Sequence, residues 1–178
     1  PPFFFPYDRN SGCVALTVVA SARPSVRSKY DNTSRPAANV SDGDSETFWV
    51  SGPGGGKPSE GPSAERPDWI EFTFEKPVAA SHLLLRPRER YGPRTLVVQS
   101  SENGQRFATL GEFTATQASR QVFTFPETTS RVFRVLITDA HDPQYPDRPR
   151  NAQIREMRFV REGDLEDRAG EIAFREAV

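Results

Sequence analysis

Apolar and polar residues alternate in short runs along most of the chain. In Trp69-Ile70-Glu71-Phe72-Thr73-Phe74, Ile70, Phe72 and Phe74 fall on one side and Glu71 and Thr73 on the other. A period of two is that of a strand with one face in a core. Gln121-Val122-Phe123-Thr124-Phe125 alternates in the same way, and Arg131–Thr138 puts Phe133, Val135 and Ile137 on one face. Further β-branched and apolar runs predict strands over Val14–Ala20, His82–Leu85, Thr95–Ser100, Phe107–Phe113 and Ile154–Val160. Glu75-Lys76-Pro77 predicts a turn, and Ser101-Glu102-Asn103-Gly104 a hairpin turn, because Asn-Gly accepts positive φ. Proline, glycine and polar residues mark loops at Ser21–Asn39, Ser51–Pro67, Arg86–Arg94 and Asp139–Arg150. The tail Leu165–Val178 has room for a short helix but no clear cap. About eight strands without an internal repeat predict an all-β fold, an antiparallel two-sheet β-sandwich.

Composition narrows the function. The chain has 178 residues, 35% hydrophobic and 26% charged, enough for one domain with a real core. A net charge of -1 argues against a nucleic-acid partner, which needs a basic excess. No apolar run approaches the roughly 20 residues of a membrane span, and no secretory signal is visible. The start, Pro-Pro-Phe-Phe-Phe without an initiator Met, is expected of a fragment or a processed form. The lone Cys13 excludes an internal disulfide and a Cys-based zinc site; opening the run Val14–Val19, it reads as a small buried thiol. The triplet Gly54-Gly55-Gly56 lacks the Gly-Lys-Ser/Thr ending of a phosphate loop. No two carboxylates are marked as facing across a pocket, and no Ser–His–Asp pattern accompanies His82 and His141. The chain therefore reads as non-catalytic.

Several motifs point to one family. Asn39-Val40-Ser41-Asp42-Gly43-Asp44-Ser45-Glu46-Thr47-Phe48-Trp49 comes first, then Asp68-Trp69-Ile70-Glu71-Phe72, then Ser100-Ser101-Glu102-Asn103-Gly104 leading to Phe107. Arg131-Val132-Phe133-Arg134 and Ile154-Arg155-Glu156-Met157-Arg158-Phe159 close the series. In this order the segment resembles the coagulation-factor type C, or discoidin, domain and family 32-type carbohydrate-binding modules. The resemblance implies a discoidin-like jelly roll over residues 36–161, flanked by residues 1–35 and 162–178 from a parent protein. The flanks, with Leu165-Glu166-Asp167-Arg168-Ala169-Gly170 the best part, resemble borders of such a module inside bacterial α-L-rhamnosidase-like enzymes of glycoside hydrolase family 106.

The resemblance also implies a structural calcium, held by Asp42 and Thr47 with the carbonyls of Asn39 and Asp44, and closed by Glu156. Hard oxygens from a tight Gly-containing turn suit that ion. The other reading is a polar Asx-type turn with Glu156 paired to an arginine. Trp49 and Trp69 are expected in the core or under the loops. Arg134 is expected in a structural ion pair.

Ligand contact is expected from two loops. The first offers Arg88, Arg90, Tyr91 and Arg94, the second His141, Tyr145 and Arg148 together with Arg150, and the Gly-rich loop near Lys57 is expected beside them. Guanidinium forks suit vicinal hydroxyls or a carboxylate, and a tyrosine ring stacks on a sugar. A solvated charged rim is the alternative. The expected role is an accessory carbohydrate-binding module, extracellular or periplasmic, holding a parent hydrolase on an acidic or rhamnose-containing polysaccharide. A structural insertion packed on its own catalytic domain is the second reading. Protein or lipid adhesion is the third, disfavoured by polar loop tips.

Overall fold

Two strands of 20 residues each, β3 (Asp68–Pro87) and β6 (Gln121–Ala140), run through both layers of the molecule. The computed structural model describes residues 23–164, apart from residues 31 and 54–55. Around the long pair lie β1 (Ser25–Ser28), β2 (Trp49–Val50), β4 (Pro93–Ser101), β5 (Ala108–Thr114) and β7 (Gln153–Val160), with a short 3-10 turn at Ala37–Ser41.

The pairing is antiparallel throughout, in the order β2-β7-β3-β6-β4-β5, with β1 on β3. The first half of β3 pairs with β1 and with the second half of β6, through Asp68↔Ile137 to Thr73↔Val132. Its second half pairs with the first half of β6 and with β7, through Val78↔Ser130 and Leu83↔Phe159. The register breaks between Thr73 and Val78. Glu75-Lys76-Pro77, expected as a turn, is instead an exposed stretch within one strand. Pro77 has no N–H to give a ladder, so the strand bends there and passes from one layer to the other. The result is the predicted two-layer β-sandwich.

Alternation supplies the core between the layers. Ile70 and Phe72 of β3, Leu96 and Val98 of β4 and Phe133, Val135 and Ile137 of β6 pack against Leu83, Leu85, Ile154 and Met157. Phe159 of β7 stacks on Phe133 at 4.7 Å and meets Phe72 edge-on at 5.3 Å, joining the layers. Trp49 is 1% exposed, as expected. The Asn103-Gly104 turn also forms: Gly104 has φ 72°, and Ser101 Oγ accepts its N–H at 2.9 Å.

Two further expectations change. The stretch Ser21–Asn39, read as loop, contains β1, so the sheet reaches upstream of residue 36. Its Ser-Val-Arg-Ser lies on an edge, where only one face needs apolar residues, and so carries little strand signal. Trp69 is half-buried on the outer face of the sheet, not in the core. Ile70 and Phe72 take the inner face, and alternation turns Trp69 outward with Glu71. The predicted strand Val14–Ala20, Cys13 and the tail Leu165–Val178 lie outside the described residues.

Candidate functional site

Because β3 bends over, both of its ends arrive at one edge of the sandwich. Three loops meet there: 51–67 before β3, 88–92 after it, and 141–152 between β6 and β7. Backbone hydrogen bonds tie them together. Ser59 N–H donates to Arg148 O (3.3 Å), Gly61 N–H to Pro149 O (3.0 Å) and His141 N–H to Gly92 O (2.9 Å). Arg88 N–H donates to Gln153 O (3.0 Å), and Gln153 N–H to Tyr91 O (2.8 Å). Gly61 is required for this contact, since a Cβ there would collide with the backbone of Pro149.

Between loops 51–67 and 141–152 lies an open cleft of about 540 Å³. Arg66, Arg94 and Arg148 line it, with Pro62, Pro146 and Pro149 supplying apolar walls. Arg94 pairs with Asp139 at 3.1 Å and donates to Pro146 O at 3.3 Å. Arg66 donates to Ser59 O. Arg148 is exposed and forms no ion pair with a described residue.

Of the seven residues singled out in the sequence, Arg94 and Arg148 line this cleft. Arg88 turns to other partners: its guanidinium lies 4.3 Å from the centre of the Phe48 ring and 5.6 Å from that of Tyr91, and it donates to Gln153 Oε1. Phe48 takes Arg35 on its ring as well, at 4.2 Å. Arg90 is exposed, in the left-handed region at φ 70°, and outside the cleft lining. Tyr145 is 36% exposed, with Arg150 at 5.1 Å over its ring. The Nε2 atom of His141 is buried without a hydrogen-bond partner among the described residues. Arg66, missed in the sequence, sits in a polar stretch whose only signal is its place just before β3.

Asp142 also went unnoticed, and it holds the second loop in shape. It accepts N–H bonds from Gln144 (3.0 Å), Tyr145 (3.3 Å) and Arg150 (3.3 Å), and the Arg150 guanidinium at 2.7 Å. Burial alone would raise its pKa, but the Arg150 side chain and these N–H donors outweigh burial and lower it. Asp68 is the opposite case. It is 2% exposed, its Oδ2 makes no well-formed hydrogen bond to a described residue, and Lys29 stands 3.9 Å from Oδ1. Burial pushes its pKa up, against the pull of Ser51, Lys29 and Arg66.

At the Asp42–Thr47 turn, oxygens converge. Thr47 Oγ1 lies 2.8 Å from Asp42 Oδ2, 3.2 Å from Asp44 O and 3.5 Å from Asn39 O. Asp42 Oδ1 accepts Asp44 N–H at 2.9 Å, the Asx-type turn of the alternative reading. The turn leads into β2, where Trp49 pairs with Ile154 of the strand that carries Glu156. Glu156 is held by two arginines, Arg86 at 3.7 Å on Oε2 and Arg158 closely on Oε1, which is the pairing expected on the alternative reading. The three oxygens around the Thr47 hydroxyl are hard donors of the kind a divalent cation takes, while the Glu156 carboxylate is already engaged by its arginines.

Comparison with known proteins agrees with this architecture. The family described as F5/8 type C domain matches residues 20–150. A comparison with curated protein sequences found no match. Among solved structures, chitosan-binding module 1 of a Paenibacillus sp. IK-5 chitosanase/glucanase superposes with a TM-score of 0.61 at 17% identity, covering 79% of this chain and 96% of that one. A CBM32 module of Clostridium perfringens in complex with GalNAc-β-1,3-galactose gives 0.64 at 13% identity, covering 77% and 94%. A pectin binding carbohydrate binding module gives 0.59 at 16%, covering 78% and 91%. These similarities concern the fold.

Proposed function

The chain belongs to the F5/8 type C domain family, and on that footing we propose that it is a non-catalytic carbohydrate-binding module that holds a parent glycoside hydrolase on an acidic polysaccharide. The observation that carries the reading is the cleft where three loops meet, with Arg94, Arg148 and Arg66 beside three proline walls. Proline rings offer apolar faces to a pyranose, and guanidinium forks match a carboxylate or a vicinal diol. The solved structures it resembles include modules bound to chitotriose and to 4,5-unsaturated mannuronic acid. An extracellular or periplasmic location belongs to the same reading. The structural-insertion alternative needs an apolar docking face. Among the described residues the exposed large hydrophobics are Val122 and Tyr145, which make no such patch.

Calcium is part of the proposal. Asp42, Thr47, the carbonyls of Asn39 and Asp44, and Glu156 would hold it. Bound there, it would supply a fixed positive charge that fastens the turn. Phe48, next to Thr47, carries Arg88 on its ring and so links this turn to loop 88–92.

The test is affinity gel electrophoresis on polygalacturonate, alginate, rhamnogalacturonan and neutral polysaccharides, with and without a calcium chelator. An acidic polysaccharide is expected to retard the protein. The variant Arg94→Ala/Arg148→Ala is expected to lose at least about tenfold in affinity, a change of about 1.4 kcal/mol. Chelation is expected to lower Tm. No retardation of the folded protein on any polysaccharide would rule the reading out.

A further inference from the structure

A second concavity lies on the outer face of the sheet, away from the loops. It is a groove of about 360 Å³ between the β4–β5 hairpin loop and strands β1, β3 and β6. Along β6, Val132 borders the groove and Thr138 the cleft. Six residues of strand separate them, roughly 20 Å at about 3.3 Å per residue.

One wall of the groove is rigid. Glu71, only 1% exposed, pairs with Arg27 at 2.6 Å and with Arg134 at 2.8 Å. Arg134 is in turn packed between two rings, its guanidinium 3.5 Å from the centre of Phe107 and 5.0 Å from that of Trp69. Arg27 approaches Trp69 at 5.7 Å. A buried ion pair costs desolvation, and an apolar face would be the cheaper way to finish a sheet. Glu71 and Arg27 line the groove, whereas Arg134, Trp69 and Phe107 lie outside its lining and hold the Glu71 carboxylate in place through Arg134.

The other wall carries unspent hydrogen-bonding capacity. Thr73 Oγ1, Asn103 Nδ2, the side-chain amide of Gln105 and the Glu102 carboxylate belong to residues that line the groove, and they bond to no described residue. Arg131 uses Nε on Phe74 O at 3.2 Å, leaving the rest of its fork. Asn103 is itself fixed, since its Oδ1 accepts the N–H groups of Gln105 (2.9 Å) and Arg106 (3.3 Å). The set holds both donors and acceptors, and Arg131 balances Glu102. A polyhydroxylated ligand without charge satisfies such a set. A carboxylate would meet Glu102 and gain little.

We infer that this groove is a second glycan site, and that it takes a neutral polysaccharide segment. The inference rests on the carbohydrate-binding reading above. The two sites differ in chemistry: arginine exposed at a rim for acidic sugars, and a charge-balanced groove for neutral ones.

The experiment uses the full chain on gels containing galactomannan, xyloglucan, polygalacturonate or alginate. Four proteins are compared: wild type, Arg94→Ala/Arg148→Ala, Gln105→Ala/Arg131→Ala and, as an independent groove variant confined to the exposed loop, Glu102→Ala/Gln105→Ala. Thermal melts confirm that each is folded. At least one neutral polysaccharide is expected to retard the wild type and the cleft variant alike. Both groove variants are expected to lose about tenfold or more on that gel, while keeping wild-type retardation on the acidic one. If the acidic gels retard the wild type and no neutral gel does, the groove inference falls and the cleft reading stands. If the groove variants migrate like wild type on a neutral gel that retards it, the inference also falls. If no gel retards any of the proteins, both fall together.

Discussion

The loop cleft and the sheet groove both present arginine, but they hold it differently. In the cleft, Arg94 meets Asp139 with both side chains about a third exposed, and Arg148 has no ion partner among the described residues. At the groove, Arg27 in its lining and Arg134 outside it share one carboxylate, Glu71, that water scarcely reaches. The first arrangement leaves charge available to a ligand and lends the fold little. The second spends its charge on the fold and leaves neutral donors and acceptors for recognition. Composition does not separate the two; burial of the counter-ion does.

The largest effect should come from breaking the buried partner. Glu71→Ala leaves Arg134 desolvated between Trp69 and Phe107, and urea unfolding is expected to show a loss of about 3 kcal/mol, the lower end for a broken buried pair because Arg27 can turn to water. Arg94→Ala, which breaks the exposed pair, is expected to stay within about 1 kcal/mol of wild type in the same measurement. Equal losses in the two variants would erase the contrast.

Asp142→Asn sharpens it at the loop end. The variant keeps the size and loses the charge that gathers three N–H groups and Arg150, a loss of about 2 kcal/mol near neutral pH. Since the folded pKa is depressed, this stabilisation is present in full above the ordinary carboxylate value of 3.8 and disappears as pH falls through the folded value. Melts of wild type and variant are therefore expected to differ at about pH 7 and to converge in strong acid.

The smallest effect has the opposite sign. Asp68 is a buried carboxyl whose pKa is raised by desolvation, so the native chain takes up its proton before the unfolded chain does. Its penalty is constant near neutral pH, shrinks as pH falls through the raised value, and is gone below 3.8. Asp68→Asn is expected to raise stability by about 1 kcal/mol near pH 7, seen as a higher Tm, with no gain in acid.

Much of the architecture was readable from alternation alone. Ile70, Phe72, Phe133, Val135 and Ile137 are where a period of two puts them, and Asn103-Gly104 turns where its conformational freedom allows. The oxygens of Asn39, Asp42, Asp44 and Thr47 were legible as a group because they are close in sequence, and local turns keep near neighbours together. Arg134 was legible as an ion-pair partner, though not Glu71 as the residue it pairs with. The candidate ligand residues were only half legible. Composition named the two loops, but it could not say that Arg88 would lie on Phe48 while Arg94 and Arg148 faced a cleft completed by Arg66. Nor could it say that Glu71 and Thr73 would line a groove with residues from β6 and the β4–β5 loop.

The order of apolar and polar residues thus set the strands, their inner faces and the tight turns, because those depend on contacts between residues a few positions apart. Folding β3 over at Glu75–Pro77 set everything else. That bend brings both ends of one strand to the same edge, aligns three loops from distant parts of the chain, and chooses which charged side chains are buried with a partner. Burial and pairing of charge depend on what the rest of the chain places within a few ångströms, and only the assembled sandwich supplies that.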